Sequence, residues 1–558
     1  MAVALIVVLN LPGKPLMLSR NTTYITEPLK SNGEMVDYFA AIEQEYYTPE
    51  MKTDENGFRE LAMIFGPELF IHEKDPARDV KIKQLIEKLD LPPTEPVLTF
   101  EDPSEILQQY SKDKKVNYQD LHDAFIAWDA DKLPDEMSQW MQNANPALNA
   151  VVVAANKNTF IVPLTRADEN EPLWTTSLET VIRVVTIARS LIARANYRIE
   201  NGDIDGAIED RLACARIGRF LESYPMVFSM FLTFLPNYNV SIFSFDVKLC
   251  DLPNVKPNAE QIRRLQKGFA SLKPVIPLEK SWAFERYRNL DTIYWFMKTG
   301  DLGEHGNRLA HVRLGLNWNI VMKKYNSLFD ANFAKHDLSD VRARAGYPTI
   351  LDKITTNARS EYFGMVIFAL ESGSFPTIQS QEHRLRCLEK QQAIWLALFL
   401  YAEEHGTLPP TFSTDEDGNI LHSWRTLILP QLGQQELYAK IRLDEPWDSE
   451  YNKQFHNNEV PFYQCSTIET PGQTNYVVIV GEDLPFDFTG KGKPLTDLKI
   501  DGNTILVTEL DNPTCWMNPL ADLTEEESQK QTKHIHAAPG RNTAKLNGVC
   551  KYVENLPR

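Results

Sequence analysis

The chain has 558 residues, 43% of them hydrophobic and 24% charged, and its 58 basic and 76 acidic residues give a formal net charge of −18. This composition excludes a disordered chain. The acidic balance argues against a partner with a phosphate backbone, such as nucleic acid, and against an anionic membrane surface. A chain of this length exceeds the size at which one hydrophobic core stops growing, so we expect two or three domains.

The N-terminus begins with an apolar run from Met1 to Leu9. This run is too short to cross the ~30 Å hydrocarbon core of a bilayer. The first positive charges, Lys14 and Arg20, follow the run, whereas in a secretory signal they precede it. We interpret residues 1–20 as an apolar leader, the downstream end of a signal anchor that starts before Met1. A buried N-terminal strand is the alternative.

Residues 21–372 are predicted to form a mainly helical domain. Apolar residues recur at helical spacing within residues 36–70. The proline- and acid-rich residues 90–104 predict a loop between parts of this domain. A short helix is expected over Asp135–Asn145.

Two short runs that contain β-branched residues follow, Ala150–Ala154 and Thr159–Leu164. The polar pair Lys157-Asn158 separates them. Runs of this kind on either side of a polar turn predict a small β-hairpin.

The clearest helical unit is predicted over residues 176–222. Thr176 and Glu179 have capping-box spacing, in which a hydroxyl and a carboxylate satisfy the free amides at the start of a helix. The first helix should run to about Glu200, turn through Asn201-Gly202-Asp203 and return as a second helix. This resembles one tetratricopeptide-type hairpin. No second copy follows at a period near 34 residues, so we do not predict a peptide-binding solenoid.

Further helices complete the predicted helical domain: residues 226–245, Asn258–Gly268, Leu278–Lys298 and Asp337–Leu370. The third carries a stripe of aromatic residues, namely Trp282, Phe284, Tyr287, Tyr294, Trp295 and Phe296. Such a stripe is typical of a buried core, and a shelf for a ligand is the alternative. The glycine and proline of residues 372–380 mark the best domain boundary in the chain.

The character of the sequence changes from His383 onward. A helix over His383–Glu404 is charged at its start and apolar later, and His405-Gly406 with two following prolines ends it. Strands are expected beyond it: Tyr476–Val480, Thr504–Leu510, Thr543–Leu546 and Val549–Val553. Asn547-Gly548 joins the last two and is a strong hairpin signal. Residues 381–558 therefore predict an α+β domain with one long helix and an antiparallel sheet.

The six cysteines lie far apart, without a C-x-x-C pair. This spacing argues against a zinc ribbon and against thioredoxin-like chemistry. In an exported protein some of Cys465, Cys515 and Cys550 could pair. Buried thiols are the alternative, and the sequence does not decide between the two.

Residues 383–555 carry an ordered series of short motifs: Arg386-Cys387, Leu396-Ala397-Leu398, Tyr401, His405 to Pro410, His422-Ser423-Trp424-Arg425, Leu427 to Pro430, Asp444 to Ser449 (with Pro446 and Trp447), Tyr463-Gln464-Cys465, Thr474-Asn475-Tyr476, Asp501 to Leu506 (with Asn503 and Thr504), and Glu509. With these motifs in this order, the segment resembles the pilin-like, prepilin-processing-associated family with a terminal His-x9-Asp-Gly motif, a domain of unknown function abundant in planctomycete bacteria. The N-terminal helical region is similar, more loosely, to that of a subset of these proteins.

The resemblance implies a membrane-anchored or exported protein with a pilin-like fold. The terminal motif departs from the family pattern, since it appears as His536-x10-Asn547-Gly548. Asn-Gly serves the turn as well as Asp-Gly does, so only a role that needs the carboxylate is lost. Members typically place the long helix directly after a prepilin leader. Here it is internal and begins with charged residues, so we do not expect it to enter a bilayer or a pilus.

Chemistry-bearing residues are few, and we predict no catalytic residue. His534 and His536 offer two metal ligands, but no further motif completes a shell. Asp444, Glu445 and Asp448 cluster around Pro446-Trp447 and leave calcium as a candidate cation, although they lack the spacing of a calcium loop.

The plainer interpretation is structural. Trp447 packs on the sheet, Asp448 fixes a turn, and Arg425 pairs with Asp444 or Asp448. His422 beside Trp424 lacks the nucleophile and the orienting partner that an acid–base role requires. The motif residues from His422 to Gly548 are therefore expected to hold the fold.

We therefore expect a non-enzymatic, membrane-anchored or exported envelope protein with a structural or interaction role. Its partner would be an unknown envelope protein or a small molecule; if Met1 is the true start, the protein would be cytoplasmic. A solute- or glycan-binding protein that uses the aromatic helix around residues 282–296 is the second hypothesis. A metal-dependent hydrolase that uses His534, His536 and the acids at 444–448 is the third.

Overall fold

The computed structural model describes the following residues: 15–93, 95–173, 179–221, 224–225, 257–272, 278–299, 316–333, 375–465, 468, 470–497, 504–530, 541–545 and 550–553. Several predictions lie outside them: the apolar run at residues 1–9, Thr176 of the capping box, the helices at 226–245 and 337–370, Asn503, His534, His536 and the turn Asn547-Gly548.

The N-terminal part of the described chain is helical. Its α-helices are α1 (Tyr38–Tyr46), α2 (Gly57–Phe65), α3 (Arg78–Leu89), α4 (Pro103–Lys114), α5 (Tyr118–Ala127), α6 (Glu136–Ala155), α7 (Glu179–Glu200), α8 (Ile204–Leu221), α9 (Ala259–Ala270), α10 (Leu278–Thr299) and α11 (Trp318–Phe333). Short 3-10 turns cover Pro49–Lys52 and Pro67–Phe70. Asp37, Asn56, Asp102 and Asn117 cap helices, because each side chain accepts a hydrogen bond from a backbone amide of the first turn.

The helical hairpin predicted at residues 176–222 is confirmed by α7 and α8. A buried ion pair joins the two helices: the Arg194 guanidinium donates to both carboxylate oxygens of Asp210 at 2.6 and 3.0 Å. Arg198 reaches the same carboxylate at 3.0 Å. Arg194 also donates to Asn149 of α6 at 2.9 Å, so one side chain holds three helices together.

The β-hairpin predicted at residues 150–164 is wrong. Ala150–Ala154 lies in the last turns of α6. Leu148, Val151 and Ala155 of this helix are buried, and Val153 is exposed. Burial at helical spacing outweighed the strand preference of the β-branched residues. Thr159 instead forms an isolated bridge with Asn56.

The aromatic stripe of α10 belongs to the hydrophobic core of the helical part. Trp282, Phe284, Tyr287, Tyr294 and Phe296 are all less than 9% exposed. The ring of Tyr287 stacks on that of Tyr38 in α1, with 5.5 Å between the centroids. Five of the six aromatic residues therefore take the core position that the sequence favoured, and Trp295 is half-buried.

The C-terminal part has one long helix and two sheets, which agrees with the predicted α+β class. Its elements are α12 (Phe375–His405), β1 (Phe412–Thr414), β2 (Ile420–Ser423), α13 (Trp424–Leu427), α14 (Gln435–Tyr438), β3 (Gln473–Val480), β4 (Ile505–Cys515), β5 (Leu523–Thr524), α15 (Glu525–Gln529), β6 (Arg541–Lys545) and β7 (Cys550–Val553). Short 3-10 turns cover Asn452–Phe455 and Leu495–Asp497.

Strands β1 and β2 form a two-stranded sheet, and the other five have the order β5-β3-β4-β6-β7. The pairings from β3 to β7 are antiparallel, as predicted, and β6 pairs with β7 as the expected hairpin. The short edge strand β5 runs parallel to β3, which the sequence did not predict.

Two hydrophobic cores organise the described chain, and the second crosses the predicted domain boundary. It contains Trp395 and Leu398 of α12 and Tyr476 and Val478 of β3, but also Ile208 of α8 and other residues of α7–α9. Helix α12 thus packs between the sheet and the helical part. No helix among the described residues is both long and apolar enough to span a membrane.

Replacement of Asp210 by Ala should destabilise the protein by about 3–5 kcal/mol, because Arg194 would stay buried without its carboxylate. The matched control is Glu209→Ala, which removes the neighbouring half-exposed partner of Arg264 and should cost ~1 kcal/mol or less. Urea unfolding followed by circular dichroism measures both. Equal effects of the two substitutions would contradict the role of the buried pair.

Candidate functional site

Arg425 is the centre of a buried polar network beneath the sheet. Ser423 ends β2 and caps the short helix α13, which turns the Arg425 side chain inward. Its Nε and Nη2 donate to the carbonyl oxygen of Tyr476 in β3 at 3.0 and 2.8 Å. Nη1 donates to the hydroxyl of Ser423 at 2.9 Å. All three nitrogens of the guanidinium therefore have partners inside the protein.

The carboxylate that pairs with Arg425 is Asp522, at 2.9 Å from Nη2. The prediction that Asp444 or Asp448 is the partner is wrong. Asp522 also accepts hydrogen bonds from the indole of Trp424 at 3.1 Å and from the backbone amide of Val478 at 3.0 Å. Burial raises the pKa of Asp522, and the Arg425 guanidinium opposes that rise. Such a pair fixes one arrangement of the chain more than it adds net stability.

His422 lies buried at the other end of the same motif. Its Nε2 contacts the carbonyl oxygen of Arg442 at 3.1 Å. Its Nδ1 is buried and has no hydrogen-bond partner within the described part of the chain. Burial therefore lowers the pKa of His422 below its ordinary 6.5. This geometry fits a neutral imidazole that donates from Nε2, and it does not fit an acid–base role.

The turn from Arg442 to Ser449 is held by Asn452, a residue that the sequence reasoning missed. The Asn452 Nδ2 donates to the carbonyl oxygens of Arg442 at 2.9 Å and of Pro446 at 3.0 Å. The prediction that Asp448 fixes this turn is wrong, since its side chain is exposed and Asn452 makes the bonds. Nothing in the sequence around Asn452 distinguishes it from the other asparagines, so its role in the turn was not predicted.

Trp447 is half-buried and stacks on the ring of His456, with centroids 5.0 Å apart. Its backbone amide donates to the carbonyl of Leu421 at 2.8 Å, which ties the turn to β2. Trp447 also packs against the hydrophobic core that contains the sheet residues Tyr476 and Val478.

The carboxylates at 444–448 do not converge in the structure. Glu445 pairs with Arg442 at 2.8 Å and accepts from the Ser449 hydroxyl at 2.8 Å, while Asp444 and Asp448 are exposed. In the described residues the one set of three ligand atoms within 4.8 Å of one another lies elsewhere, at Cys387, Cys465 and Glu509. The structure therefore gives no geometry for calcium at Asp444, Glu445 and Asp448.

Other motif residues are placed as follows. Glu509 in β4 accepts from the backbone amide of Asn542 in β6 at 2.8 Å, and Asn542 donates to the carbonyl of Arg384 in α12 at 3.0 Å. Asn475 is buried at an irregularity of the β3–β4 pairing. Thr504 is half-buried beside β4, and Pro446 is exposed. Glu509 and Asn542 thereby connect the sheet to α12.

A groove of about 610 Å³ lies where the helical part meets α12, a volume typical of small-molecule sites. Apolar side chains supply most of its surface. They come from α9 (Phe269), from α12 (Ala393, Leu396, Leu400), and from the loops that carry Leu432 and Phe462; Pro430 also lines it. Gly268 permits this geometry, because a Cβ there would collide with Leu212 of α8. Pro430 is the residue of the Leu427 to Pro430 motif that lines the groove.

Two buried glutamines line the same groove. The Nε2 of Gln392 and the Oε1 of Gln431 are buried and have no hydrogen-bond partner among the residues that the structure describes. Both side chains are less than 9% exposed. Buried amides in native proteins are nearly always hydrogen-bonded. The groove therefore combines an apolar surface with two buried amide side chains in its wall.

The fold and these sites define an α+β domain that shares its core with a helical domain. Residues 382–509 match the family described as "Protein of unknown function (DUF1559)". The predicted resemblance to a domain of unknown function is thereby confirmed over these residues. No curated protein and no solved structure matches the chain.

Replacement of Arg425 by Ala should destabilise the protein by about 3–5 kcal/mol, since Asp522 would stay buried without its cation. Arg442→Ala is the matched control, because it removes another arginine of this domain whose ion pair is exposed, and should cost ~1 kcal/mol or less. Thermal and urea unfolding compare the two variants. An unchanged midpoint for Arg425→Ala would refute the importance of the network.

The stability of the protein should fall as the pH is lowered from 7 to 5, in part because of His422. Its folded pKa lies below 6.5, so the unfolded chain takes up the proton first. The contribution is fully present above the unfolded pKa and is lost as the pH falls toward the folded pKa.

The experiment compares urea unfolding of the wild type and of His422→Gln across this pH range. The variant should show a smaller loss of stability, whereas His405→Gln, which removes an exposed histidine of the same domain, should match the wild type. Parallel curves for all three proteins would exclude a contribution from His422.

Proposed function

We propose that this protein is a non-catalytic binding protein of the cell envelope that holds an anionic amphiphile in the groove between α9 and α12. The ligand would have an apolar body and a polar end with a carboxylate or phosphate group. The sequence led us to expect an interaction role, and this proposal assigns that role to the groove. The binding site would therefore lie at the groove and not on the aromatic helix α10.

The observation that carries the proposal is an apolar groove whose rim carries an excess of positive charge. The leucines of α12 and Phe269 would cover the apolar body of the ligand.

The charges at the groove support an anion. Four cations line it, Arg219, Arg263, Lys267 and Lys390, against the two carboxylates Glu389 and Glu404. This local excess of positive charge belongs to a chain with a net charge of −18. Electrostatic complementarity therefore favours a negatively charged ligand at this position.

The pairing of these charges supports a binding role over a catalytic one. Arg219 pairs with Glu389 at 2.9 Å and Arg263 pairs with Glu404 at 2.8 Å. Both carboxylates are thus held by arginines, an arrangement that rigidifies the rim of the groove. The envelope location rests on the family resemblance, which implies export or membrane anchoring.

Binding of a dansyl-labelled undecanoic acid, followed by its fluorescence, tests the proposal. Ala393→Trp fills the groove from a half-exposed position of α12 and should weaken binding about tenfold or more, a loss of ~1.4 kcal/mol. Ala150→Trp, at a half-exposed position of α6, is the control and should bind as the wild type does. Equal affinity of all three proteins would overturn the proposal.

A charge reversal at the rim tests the sign of the ligand. Lys267 is exposed, so Lys267→Glu should leave the fold intact and weaken binding of the labelled acid about three- to tenfold, less so at high salt. A neutral dansyl-labelled undecanamide should be unaffected by the substitution. Identical effects on the acid and the amide would exclude a preference for anions.

A further inference from the structure

Cys387 and Cys465 lie together in the core of the C-terminal domain. Cys387 is on α12 and Cys465 is in the segment that precedes β3, and their sulfur atoms are 2.9 Å apart. Both residues are at most 1% exposed. They are 78 positions apart in the sequence, so the fold alone creates this proximity. We propose that these two cysteines form a disulfide bond that joins the long helix to the sheet.

A metal site is the competing use of this pair, because a carboxylate oxygen of Glu509 lies within 4.8 Å of both sulfurs. Two thiolates bound tetrahedrally to zinc at ~2.3 Å would stand about 3.7 Å apart, farther than the sulfurs do here. Both oxygens of Glu509 already accept from Asn542, at 2.8 and 3.3 Å. The geometry therefore favours a bond between the sulfurs.

The reaction is a thiol–disulfide exchange. The two thiols of Cys387 and Cys465 lose two protons and two electrons, one sulfur–sulfur bond forms, and the disulfide of a donor molecule is reduced to two thiols. An oxidised dithiol oxidoreductase or oxidised glutathione is a donor of the required class. Such donors act on exported proteins, in oxidising compartments.

The bond would also hold one wall of the groove. Lys390 of α12 donates a hydrogen bond to the carbonyl of Gln464, directly before Cys465. Phe462 and Pro461, on the same segment, line the groove. A covalent link at Cys465 would keep this segment against α12. This consequence rests on the proposed binding function, whereas the bond itself does not.

The test is peptide mapping of the full chain after secretion into an oxidising compartment. The unfolded protein is alkylated with iodoacetamide before proteolysis, with and without prior reduction. We expect a cross-linked peptide that contains Cys387 and Cys465 and that disappears on reduction. Complete alkylation of both residues without reduction would overturn the proposal, and so would stoichiometric zinc in the same sample.

Variants give a second readout. In Cys387→Ser, Cys465 should become open to alkylation, whereas Cys515→Ser, which removes another cysteine of this domain, should keep the cross-linked peptide. Reduction should lower the urea midpoint of the wild type and leave that of the Cys387→Ser/Cys465→Ser double variant unchanged. Because no ligand is used, a failure here is distinguishable from a failure of the binding proposal.

Discussion

The buried ion pair of Arg425 and Asp522 determines how the C-terminal domain is assembled. A guanidinium with no access to water needs a carboxylate and several carbonyl or hydroxyl acceptors in fixed positions. Tyr476 of β3, Ser423 at the end of β2, and Asp522 before β5 supply them. The network thus joins three segments that are distant in the sequence. It also orients Trp424, whose indole donates to the same carboxylate.

Helix α12 connects the C-terminal sheet to the helical part of the molecule. One side of the helix packs on β6, where Gln391 donates to the carbonyl of Asn542. Another side faces α9, and there Leu396 and Leu400 line the groove. A helix buried between two layers must be apolar around much of its surface. This explains the long apolar run of the helix, and the groove lies where the two parts of the chain meet.

Local sequence signals predicted the elements well and their partners poorly. The long helix was predicted at His383–Glu404 and observed at Phe375–His405, because its periodicity and its stop signal are local. Strand β3 and the β6–β7 pair were likewise expected. The errors arose where burial or distant pairing decided the outcome. Ala150–Ala154 joined a helix through its buried face, and Arg425 paired with an aspartate 97 positions away.

The sequence by itself determined the α+β class, the family resemblance of residues 382–509 and the buried, fold-holding role of the motif around Trp424. These properties follow from hydrophobic periodicity, capping residues and turn chemistry, which act over a few positions. Tertiary structure alone decided the partner of Arg425, the role of Asn452 and the meeting of Cys387 with Cys465. It also formed the groove around Gln392. Each of these depends on segments that approach one another only when α12 packs against both the sheet and the helical domain.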